Sequence, residues 1–345
     1  LLQAIKKQPV LTIAVFAMLI TCIFVPVDAA YLEYFNWTTL ATLYCTLAVV
    51  EALSQIHIFE IISRYIVLRL RNLRNATLGL VFITFIGSMF LANDMALLTF
   101  LPLGYFVLSS TDNRQAMAFT FIMQNIAANL GGMVTPFGNP QNLYLYAFYT
   151  IDTLEFVKIM FPSFFTSILL IIGICSFVRP EPLELKEDNL YKLDKTRNMI
   201  YSILFVGSLL IVFRVIPYLL GTLIITLTLL VMDRKSLQRV NYPLLATFAA
   251  FFVFSGNMAR IPAMSEFFSK ILPMNTLLFG ILSCQFISNV PSAVLLSHFT
   301  HDYQALLPAV NIGGCGTLIA SLASLITFSE FKKHNPTEVK SYLIK

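Results

Sequence analysis

Long runs of apolar residues alternate with short polar loops along most of the chain, and this alternation predicts membrane-spanning helices. A helix needs about 20 apolar residues to cross the hydrocarbon core of a bilayer, and several runs approach that length. The pattern predicts single spans at residues 9–26, 37–54, 156–178, 199–216, 218–232 and 242–258. The stretch 55–72 mixes charged and apolar residues at helical spacing, which predicts an amphipathic helix at the membrane surface, with a third span as the alternative.

One pair of apolar runs is too short and too closely joined to form two independent spans. The runs 76–92 and 95–110 are separated only by Asn93 and Asp94, and both outer flanks are basic. We therefore expect a re-entrant hairpin over 76–110, with its tip at membrane depth and both ends in the cytoplasm. Non-helical backbone at that depth must be buried in protein or line a cavity.

A second pair of apolar runs has the same layout. The segments TLLFGILSCQFI and SAVLLSHF flank a tip that contains Ser288, Asn289 and Pro291. We expect a second re-entrant hairpin over 275–300, with both of its ends on the extracellular side.

Two further spans are interrupted by glycine and polar residues. The span 116–149 contains NLGGMVTPFGNPQN from Asn129 to Asn142, and the span 305–330 contains NIGGCGTLIAS from Asn311. The two stretches align without gaps, with Asn-x-Gly-Gly and a threonine at the same spacing. Glycine lets the backbone approach a ligand closely, and proline prevents the helix from re-forming. We therefore expect an unwound segment inside each span.

Each half of the chain thus contains a predicted hairpin followed by an interrupted span, which is the pattern of an internal repeat. Lys6 and Lys7 precede the first span and place the N-terminus in the cytoplasm. The resulting topology inverts one repeat relative to the other, and an inverted pair of broken helices points to the substrate site of a transporter. Helix N-termini there can hold an anion, while carbonyl, Asn, Ser and Thr oxygens can replace the hydration shell of a small cation.

The composition excludes several classes of function. The chain is 57% hydrophobic and 12% charged, whereas soluble domains are about 25% charged. The net charge of +5 comes from basic residues in short loops, so no nucleic-acid partner is predicted. The five cysteines are odd in number and scattered through apolar segments, which argues against a disulfide framework or a metal centre. The sequence contains no catalytic triad and no nucleotide-binding loop, so we do not expect an enzyme.

These motifs resemble those of the ion transporter superfamily, which includes divalent anion/sodium symporters, arsenite permeases, citrate transporter-like permeases and sodium/proton antiporters. The resemblance covers residues 37–330. The motifs that carry it are the two Asn-x-Gly-Gly stretches, Ala92-Asn93-Asp94 with Pro102, Ser288-Asn289-Val290, and the Gly-Asn-Pro-Gln-Asn run at 138–142. The last run and the Asn-Asp tip are closest to the arsenite-permease and anion-permease branch.

The resemblance implies an all-α polytopic membrane protein of the elevator type, with an inverted repeat, two re-entrant helical hairpins and two unwound transmembrane helices. In the divalent anion symporters, Ser-Asn-Thr at both tips binds a substrate carboxylate and helps to form two sodium sites. Ser288 keeps the serine of that motif, Ala92 does not, and Asp94 and Val290 replace the threonines, which weakens the case for a dicarboxylate. The resemblance also implies one more span after residue 330, so we expect the chain to be truncated at its C-terminus.

The implied domains alternate along the chain. Scaffold helices are expected in 1–72 and 199–274, and they are expected to form a homodimer. The transport domain is expected in 73–178, with hairpin 76–110 and broken helix 116–149, and in 275–345, with hairpin 275–300 and broken helix 305–330. Residues 179–198 are predicted to form a cytoplasmic linker because they are charged and contain proline.

The candidate site combines the tips and the unwound segments. The candidate substrate-binding residues are Asn93, Thr135, Gly138, Asn139, Asn142, Ser288, Asn289 and Thr317. The candidate cation-binding or coupling residues are Asp94, Asn93, Gly131, Gly132, Asn289, Gly313 and Gly314, with Na⁺ as the candidate metal at the tips. No cofactor is predicted apart from Na⁺ or H⁺ as the coupling ion.

Each of these assignments has a structural alternative. An acidic residue at membrane depth is costly and usually functional, but Asp94 can also cap the second helix of its hairpin, and the two roles are compatible. The glycine pairs can serve close helix packing. Gln124 and Asn125 are expected to form interhelical hydrogen bonds rather than to bind a ligand.

The predicted function is secondary active transport of a small anion, a carboxylate or an oxyanion, across the cytoplasmic membrane, coupled to Na⁺ or H⁺. The partners are then the anion and the lipid bilayer. The first alternative is a Na⁺/H⁺ antiporter of the same superfamily, in which Asp94 carries the exchanged ion. The second alternative is an ion channel.

Overall fold

The computed structural model describes residues 9–57, 61, 70–110, 113–182 and 194–344. Within these residues the chain is helical, and its one β-type contact is an isolated bridge between Asn72 and Pro182. The helices are α1 (Pro9–Phe24), α2 (Trp37–Gln55), α3 (Leu73–Ser88), α4 (Asn93–Ser110), α5 (Met117–Gly131), α6 (Pro140–Phe148), α7 (Thr153–Ser176), α8 (Lys195–Val212), α9 (Tyr218–Met232), α10 (Arg234–Arg239), α11 (Tyr242–Arg260), α12 (Pro262–Ile271), α13 (Thr276–Ile287), α14 (Asn289–Ser297), α15 (Tyr303–Gly313), α16 (Leu322–His334) and α17 (Val339–Ile344).

Five helical segments in the described part are long and apolar enough to cross a membrane. Four of them are the helices α2, α7, α8 and α11. The fifth is the segment Arg114–Val134, which contains α5. The predicted spans 218–232 and 242–258 coincide with α9 and with most of α11. The prediction of an all-helical polytopic membrane protein is therefore confirmed at this level.

Large apolar side chains are exposed along α7, as contact with lipid requires. Phe161, Phe165 and Leu169 are each more than half exposed. Apolar stripes of this size on a soluble monomer would be a liability. In contrast, 72% of the apolar stretch that contains α5 is buried, so α5 lies near the centre of the molecule.

The centre is built from two groups of helices with matching contacts. In the first group, α5 packs against α3 and α4, which also pack against each other. In the second group, α15 packs against α13 and α14 in the same way. The groups are joined crosswise, because α6 packs against α14 and α15, while α16 packs against α4 and α5.

The remaining helices surround this centre. Helix α1 packs against α11, and α2 packs against α8, α9 and α11. Helix α12 has no buried residue. The predicted amphipathic helix at 55–72 and the middle of the predicted linker at 179–198 lie largely outside the described residues.

The helix interruptions fall where the glycine and polar motifs predict them. Helix α5 ends at Gly131 and α6 begins at Pro140, whose fixed φ suits the first turn of a helix. Helix α15 ends at Gly313, and α16 begins after Ser321, whose side chain accepts a hydrogen bond from the Ser324 backbone N–H. Both unwound segments therefore end in a residue that favours the start of a new helix.

Candidate functional site

Seven buried amide side chains meet where the helices are interrupted, and we call them the amide cluster. Each is at most 7% exposed. Buried amides cost free energy unless they are hydrogen-bonded, so their partners define the site. The cluster consists of Asn93, Asn125, Asn129, Asn139, Gln141, Asn142 and Asn311.

Asn129 connects the first tip to α5 and to the second unwound segment. Its Oδ1 accepts a hydrogen bond from Asn93 Nδ2 at 3.0 Å. Its Nδ2 donates to the Asn125 carbonyl at 3.0 Å and lies 3.5 Å from Ser321 Oγ. Asn125 Nδ2 in turn donates to Ser324 Oγ at 3.0 Å. Residues that are about 230 positions apart in sequence therefore share one hydrogen-bond network.

Asn311 connects α15 to the start of α6. Its Oδ1 accepts hydrogen bonds from Asn139 Nδ2 at 2.8 Å and from Gln141 Nε2 at 3.2 Å. Its Nδ2 donates to Asn142 Oδ1 at 2.6 Å and to the Leu307 carbonyl at 2.8 Å. Both ends of the Asn311 amide are thus fully used within the protein.

Asn142 holds the first unwound segment in shape. Its Nδ2 lies 3.1 to 3.3 Å from the carbonyl oxygens of Gly132, Met133 and Thr135. Unwinding a helix leaves such carbonyls without intrahelical partners. A single amide group at the start of α6 serves three of them, so the shape of the unwound segment depends on this side chain.

The asparagines of the two tips make the same local hydrogen bond. Asn93 Oδ1 accepts from the Asp94 backbone N–H at 3.0 Å, and Asn289 Oδ1 accepts from the Val290 backbone N–H at 2.9 Å. The second tip reverses within one residue, Ser288, whose φ of 76° is unfavourable for a residue with a side chain. Such strain concentrates at functional sites.

The tips differ in how their amide nitrogens are used. Asn93 Nδ2 is bonded to Asn129, whereas Asn289 Nδ2 has no hydrogen-bond partner among the described residues. Asn289 is nevertheless only 2% exposed, and its backbone N–H donates to the Ala320 carbonyl at 2.8 Å. The second tip therefore presents an unused donor in the interior.

Thr135 and Thr317 occupy aligned positions and make the same contact. Thr135 Oγ1 donates to the Met89 carbonyl at 2.9 Å, and Thr317 Oγ1 donates to the Gln285 carbonyl at 3.3 Å. Each carbonyl lies four residues before the asparagine of its tip. Both threonines tie an unwound segment to a tip, and neither hydroxyl bonds to the amide cluster.

Two helices begin at the tips and two at the ends of the unwound segments, so four positive helix ends lie near the amide cluster. Helix α4 begins at Asn93, α6 at Pro140 and α14 at Asn289, while α16 begins at Leu322 after its N-cap Ser321. Each N-terminus carries about half a positive charge. This arrangement can bind an anion without a basic side chain.

Comparison with known proteins places the chain in a family. A family model described as "Citrate transporter" matches residues 1–311. The chain belongs to the citrate transporter family. It is 33% identical over 296 residues to "Uncharacterized transporter MJ0456" of Methanocaldococcus jannaschii, and the aligned region covers 85% of this chain and 80% of that protein. It is 26% identical over 300 residues to "Inner membrane protein YbiR" of Escherichia coli, and the aligned region covers 84% of this chain and 79% of that protein.

Membership of the citrate transporter family confirms three predictions made from the sequence. The resemblance to the ion transporter superfamily is correct, the protein is a multi-pass membrane transporter, and it is not an enzyme. Its partners are therefore the lipid bilayer and a transported small substrate.

The second glycine of each Asn-x-Gly-Gly motif faces the site in this member of the citrate transporter family. A Cβ atom on Gly314 would lie 2.7 Å from Asn289 Nδ2 and 3.2 Å from Asn129 Oδ1. A Cβ atom on Gly132 would collide with Asn139 Oδ1. Glycine is needed at both positions because these polar side chains approach the backbone closely.

The first glycine of each motif lies at a helix–helix contact instead. A Cβ atom on Gly131 would collide with the Phe85 carbonyl of α3. A Cβ atom on Gly313 would lie 2.8 Å from Cys284 Sγ of α13. Gly138 is enclosed within its own unwound segment, where a Cβ atom would lie 2.5 Å from Thr135 Oγ1.

Asp94 lies in the first turn of α4 and is 2% exposed. It is the one acidic or basic side chain among the described residues that is buried. Its Oδ1 accepts from the Met95 backbone N–H at 3.0 Å, and none of the ion pairs in the described part of the chain includes it. Asp94 therefore sits at the first tip as predicted, and its coupling role stays a prediction.

Sequence reasoning missed Asn129, Gln141 and Asn311 as members of the site. The available signal was that Asn311 aligns with Asn129 as the first residue of its motif. The interhelical hydrogen bonds predicted for Gln124 and Asn125 are present: Gln124 Nε2 donates to Thr84 Oγ1 of α3 at 3.0 Å, and Asn125 Nδ2 donates to Ser324 Oγ of α16.

Proposed function

We propose that this protein is a secondary active transporter that carries a small carboxylate or oxyanion together with Na⁺ or H⁺ across the cytoplasmic membrane. The observation that carries the proposal is the convergence of four helix N-termini on buried amides from both halves of the chain. The family supports a transporter, and its description supports a carboxylate as the anion.

The second tip is the proposed binding point for the anion. Asn289 Nδ2 is an unused donor in the interior, and Ser288 Oγ lies beside it, 3.3 Å from the Ala320 carbonyl. A buried donor without a partner costs free energy that a bound anion would recover. The N-terminus of α14 adds a positive potential at the same place.

The proposal includes an inverted repeat with two re-entrant hairpins. It is supported by the matching helix contacts of the two central groups and by the equivalent bonds of Thr135 and Thr317 to carbonyls of the two tips. The first hairpin also contains a short helix, α3, whose 16 residues are fewer than a full span needs.

The proposal also includes movement of the site-bearing helices against a scaffold of α1, α2, α8, α9 and α11, with the N-terminus in the cytoplasm and a homodimer formed by the scaffold. A narrow apolar space between α2 and the first tip supports a boundary there. Leu47 and Val50 line one side of this space, and Ala92 and Pro140 line the other. An apolar boundary has few hydrogen bonds to break during sliding.

A second candidate function is Na⁺/H⁺ antiport, and one observation favours it. Asp94 is buried without a described ion pair, which suits a group that exchanges a proton for a cation. In that case Asp94 alone binds the transported ions, and the amide cluster serves to support the first tip.

Uptake into proteoliposomes tests these functions. Labelled citrate, succinate and arsenite are supplied under an imposed Na⁺ gradient or an imposed pH gradient, each with a matched vesicle without protein. The proposal expects saturable uptake of one of the anions that depends on one gradient. Na⁺/H⁺ exchange without uptake of any anion would support the antiporter, and flux that neither saturates nor needs a gradient would support a channel.

A further inference from the structure

The orientation of two buried amides in the site follows from their bonds to backbone carbonyls. Asn311 Nδ2 donates to the Leu307 carbonyl, so the opposite end of this amide must be its oxygen. That oxygen receives the amide nitrogens of Asn139 and Gln141. Asn139 Nδ2 is fixed a second time, because it also donates to the Asn129 carbonyl at 2.8 Å. The orientation therefore does not depend on an arbitrary choice between amide nitrogen and oxygen.

This orientation leaves two oxygens unused. Asn139 Oδ1 and Gln141 Oε1 have no hydrogen-bond partner among the described residues, although both side chains are fully buried. Buried acceptors of this kind are rare in native proteins, and each calls for an explanation. Since both are oxygens, their missing partner is a cation or a hydrogen-bond donor, and an anion is unsuitable.

We propose that Asn311 is a positioning residue that turns the side-chain oxygens of Asn139 and Gln141 toward a bound cation, with Gln141 as an additional ligand. This inference rests on the proposed coupled transport and deepens it. Neutral amide and carbonyl oxygens are the ligands that hard cations take in proteins. The cation is thereby held where the first unwound segment meets α6, and its ligands are oriented by a residue that belongs to the second half of the chain.

The proposal explains why Asn311 has no free polar atom. All of its hydrogen-bonding capacity is spent on orienting α6 and on its own helix. Residues that orient metal ligands in this way typically change metal affinity by 10- to 100-fold when they are replaced. The unused Asn289 nitrogen lies at the second tip, so this donor belongs to the second half of the chain and the two acceptors belong to the first.

The test measures Na⁺ binding by the purified full-length chain in detergent, without transport. The thermal unfolding midpoint is followed while NaCl replaces choline chloride at constant ionic strength. The wild-type midpoint is expected to rise with Na⁺. Asn311→Leu, which keeps the branched shape and the number of heavy atoms of the side chain, is expected to need 10- to 100-fold more Na⁺ for half of its effect. Gln141→Leu removes one of the oxygens directly and is expected to shift the same curve.

Asn257→Leu is the matched control. Asn257 is a fully buried amide in α11 that donates to Thr21 Oγ1, and its Oδ1 also has no described partner. Its replacement is expected to lower the midpoint without Na⁺ and to leave the Na⁺ concentration for half of the effect unchanged. If Asn311 had a purely structural role, Asn311→Leu would show this same pattern: a lower midpoint without Na⁺ and an unchanged Na⁺ concentration for half of the effect.

Two results overturn the proposal: a wild-type midpoint that does not respond to Na⁺, or variants of Asn311 and Gln141 that keep the wild-type Na⁺ dependence. If Asn311→Leu does not fold, Gln141→Leu decides the outcome alone. Failure of the proposed function is distinguishable, because it means absence of anion uptake in proteoliposomes, whereas the Na⁺ titration needs no uptake.

Discussion

A single added methyl group at Gly314 tests whether the second glycine of the motif faces the ligand. Gly314 has helical backbone angles, φ −63° and ψ −17°, so alanine meets no backbone strain there. The new Cβ atom would lie 2.7 Å from Asn289 Nδ2 and 3.2 Å from Asn129 Oδ1. Favourable contacts between such atoms are about 3.5 Å or longer, so the Asn289 amide must move by more than half an ångström, roughly.

The size of the effect follows from the cost of overpacking, about 1 to 3 kcal/mol. If this cost falls on the ligand-bound state, affinity decreases by about 5- to 150-fold. The assay is the KM for the anion that the proteoliposome screen identifies, together with the thermal midpoint of the protein without ligand. We expect Gly314→Ala to raise KM strongly and to lower the midpoint little.

The neighbouring glycine provides the contrast. Gly313→Ala places its methyl group 2.8 Å from Cys284 Sγ and 3.2 Å from the Ile281 Cα atom, so we expect a lower midpoint with a smaller change in KM. Gly207→Ala is the neutral control, because nothing lies within 4 Å of its Cβ position. Wild-type KM in Gly314→Ala, or an equal increase in Gly313→Ala, would refute the assignment.

Three further substitutions test other parts of the molecule. Asp94→Asn is expected to abolish gradient-driven uptake, and uptake at the wild-type rate would remove Asp94 from coupling. The Arg214 guanidinium donates to the Tyr146 carbonyl at 2.7 Å and lies 4.6 Å from the centre of the Tyr146 ring. Arg214→Ala is therefore expected to lower the thermal midpoint, by roughly 2 to 4 °C per kcal/mol of unfolding free energy lost. Arg214→Lys should recover part of the loss. The hydrogen bond from Arg260 lowers the pKa of Asp28 below its usual 3.8. This exposed pair therefore stabilises the fold above that pH and loses its effect as the pH falls through the lowered pKa. The small difference in thermal midpoint between wild type and Arg260→Gln should vanish in acid, and a difference that persists there would contradict this reasoning.

The spans and their interruptions could be predicted because hydropathy and helix-breaking residues are local signals. The span 218–232 coincides with α9, and the interruptions follow the Asn-x-Gly-Gly motifs. The start of the first hairpin was placed three residues late, at 76. Helix α3 begins at Leu73 because Asn72 caps it through the Asn75 backbone N–H. The first turn of α3 contains the polar residues Arg74 and Asn75, so hydropathy does not detect it.

The membership of the site was harder to predict because it depends on contacts between distant segments. Gln141 and Asn311 are 170 positions apart, and their roles depend on which end of each amide points toward the other. Sequence also does not distinguish the two glycines of a pair, since Gly313 faces a neighbouring helix and Gly314 faces the amides. Thr317 was predicted to bind substrate, and the structure places its hydroxyl on the Gln285 carbonyl.

The scarcity of formal charge around the amide cluster has an electrical consequence. Helix ends carry only partial charges, and Asp94 is the one buried acid or base among the described residues. A membrane potential of 100 mV acts on each full charge that crosses it with about 2.3 kcal/mol. With Asp94 protonated, the empty site carries no formal charge, and only the partial charges of the helix ends are left for the voltage to act on. Voltage then acts chiefly on the loaded forms, according to the charges of the anion and of its coupling ion.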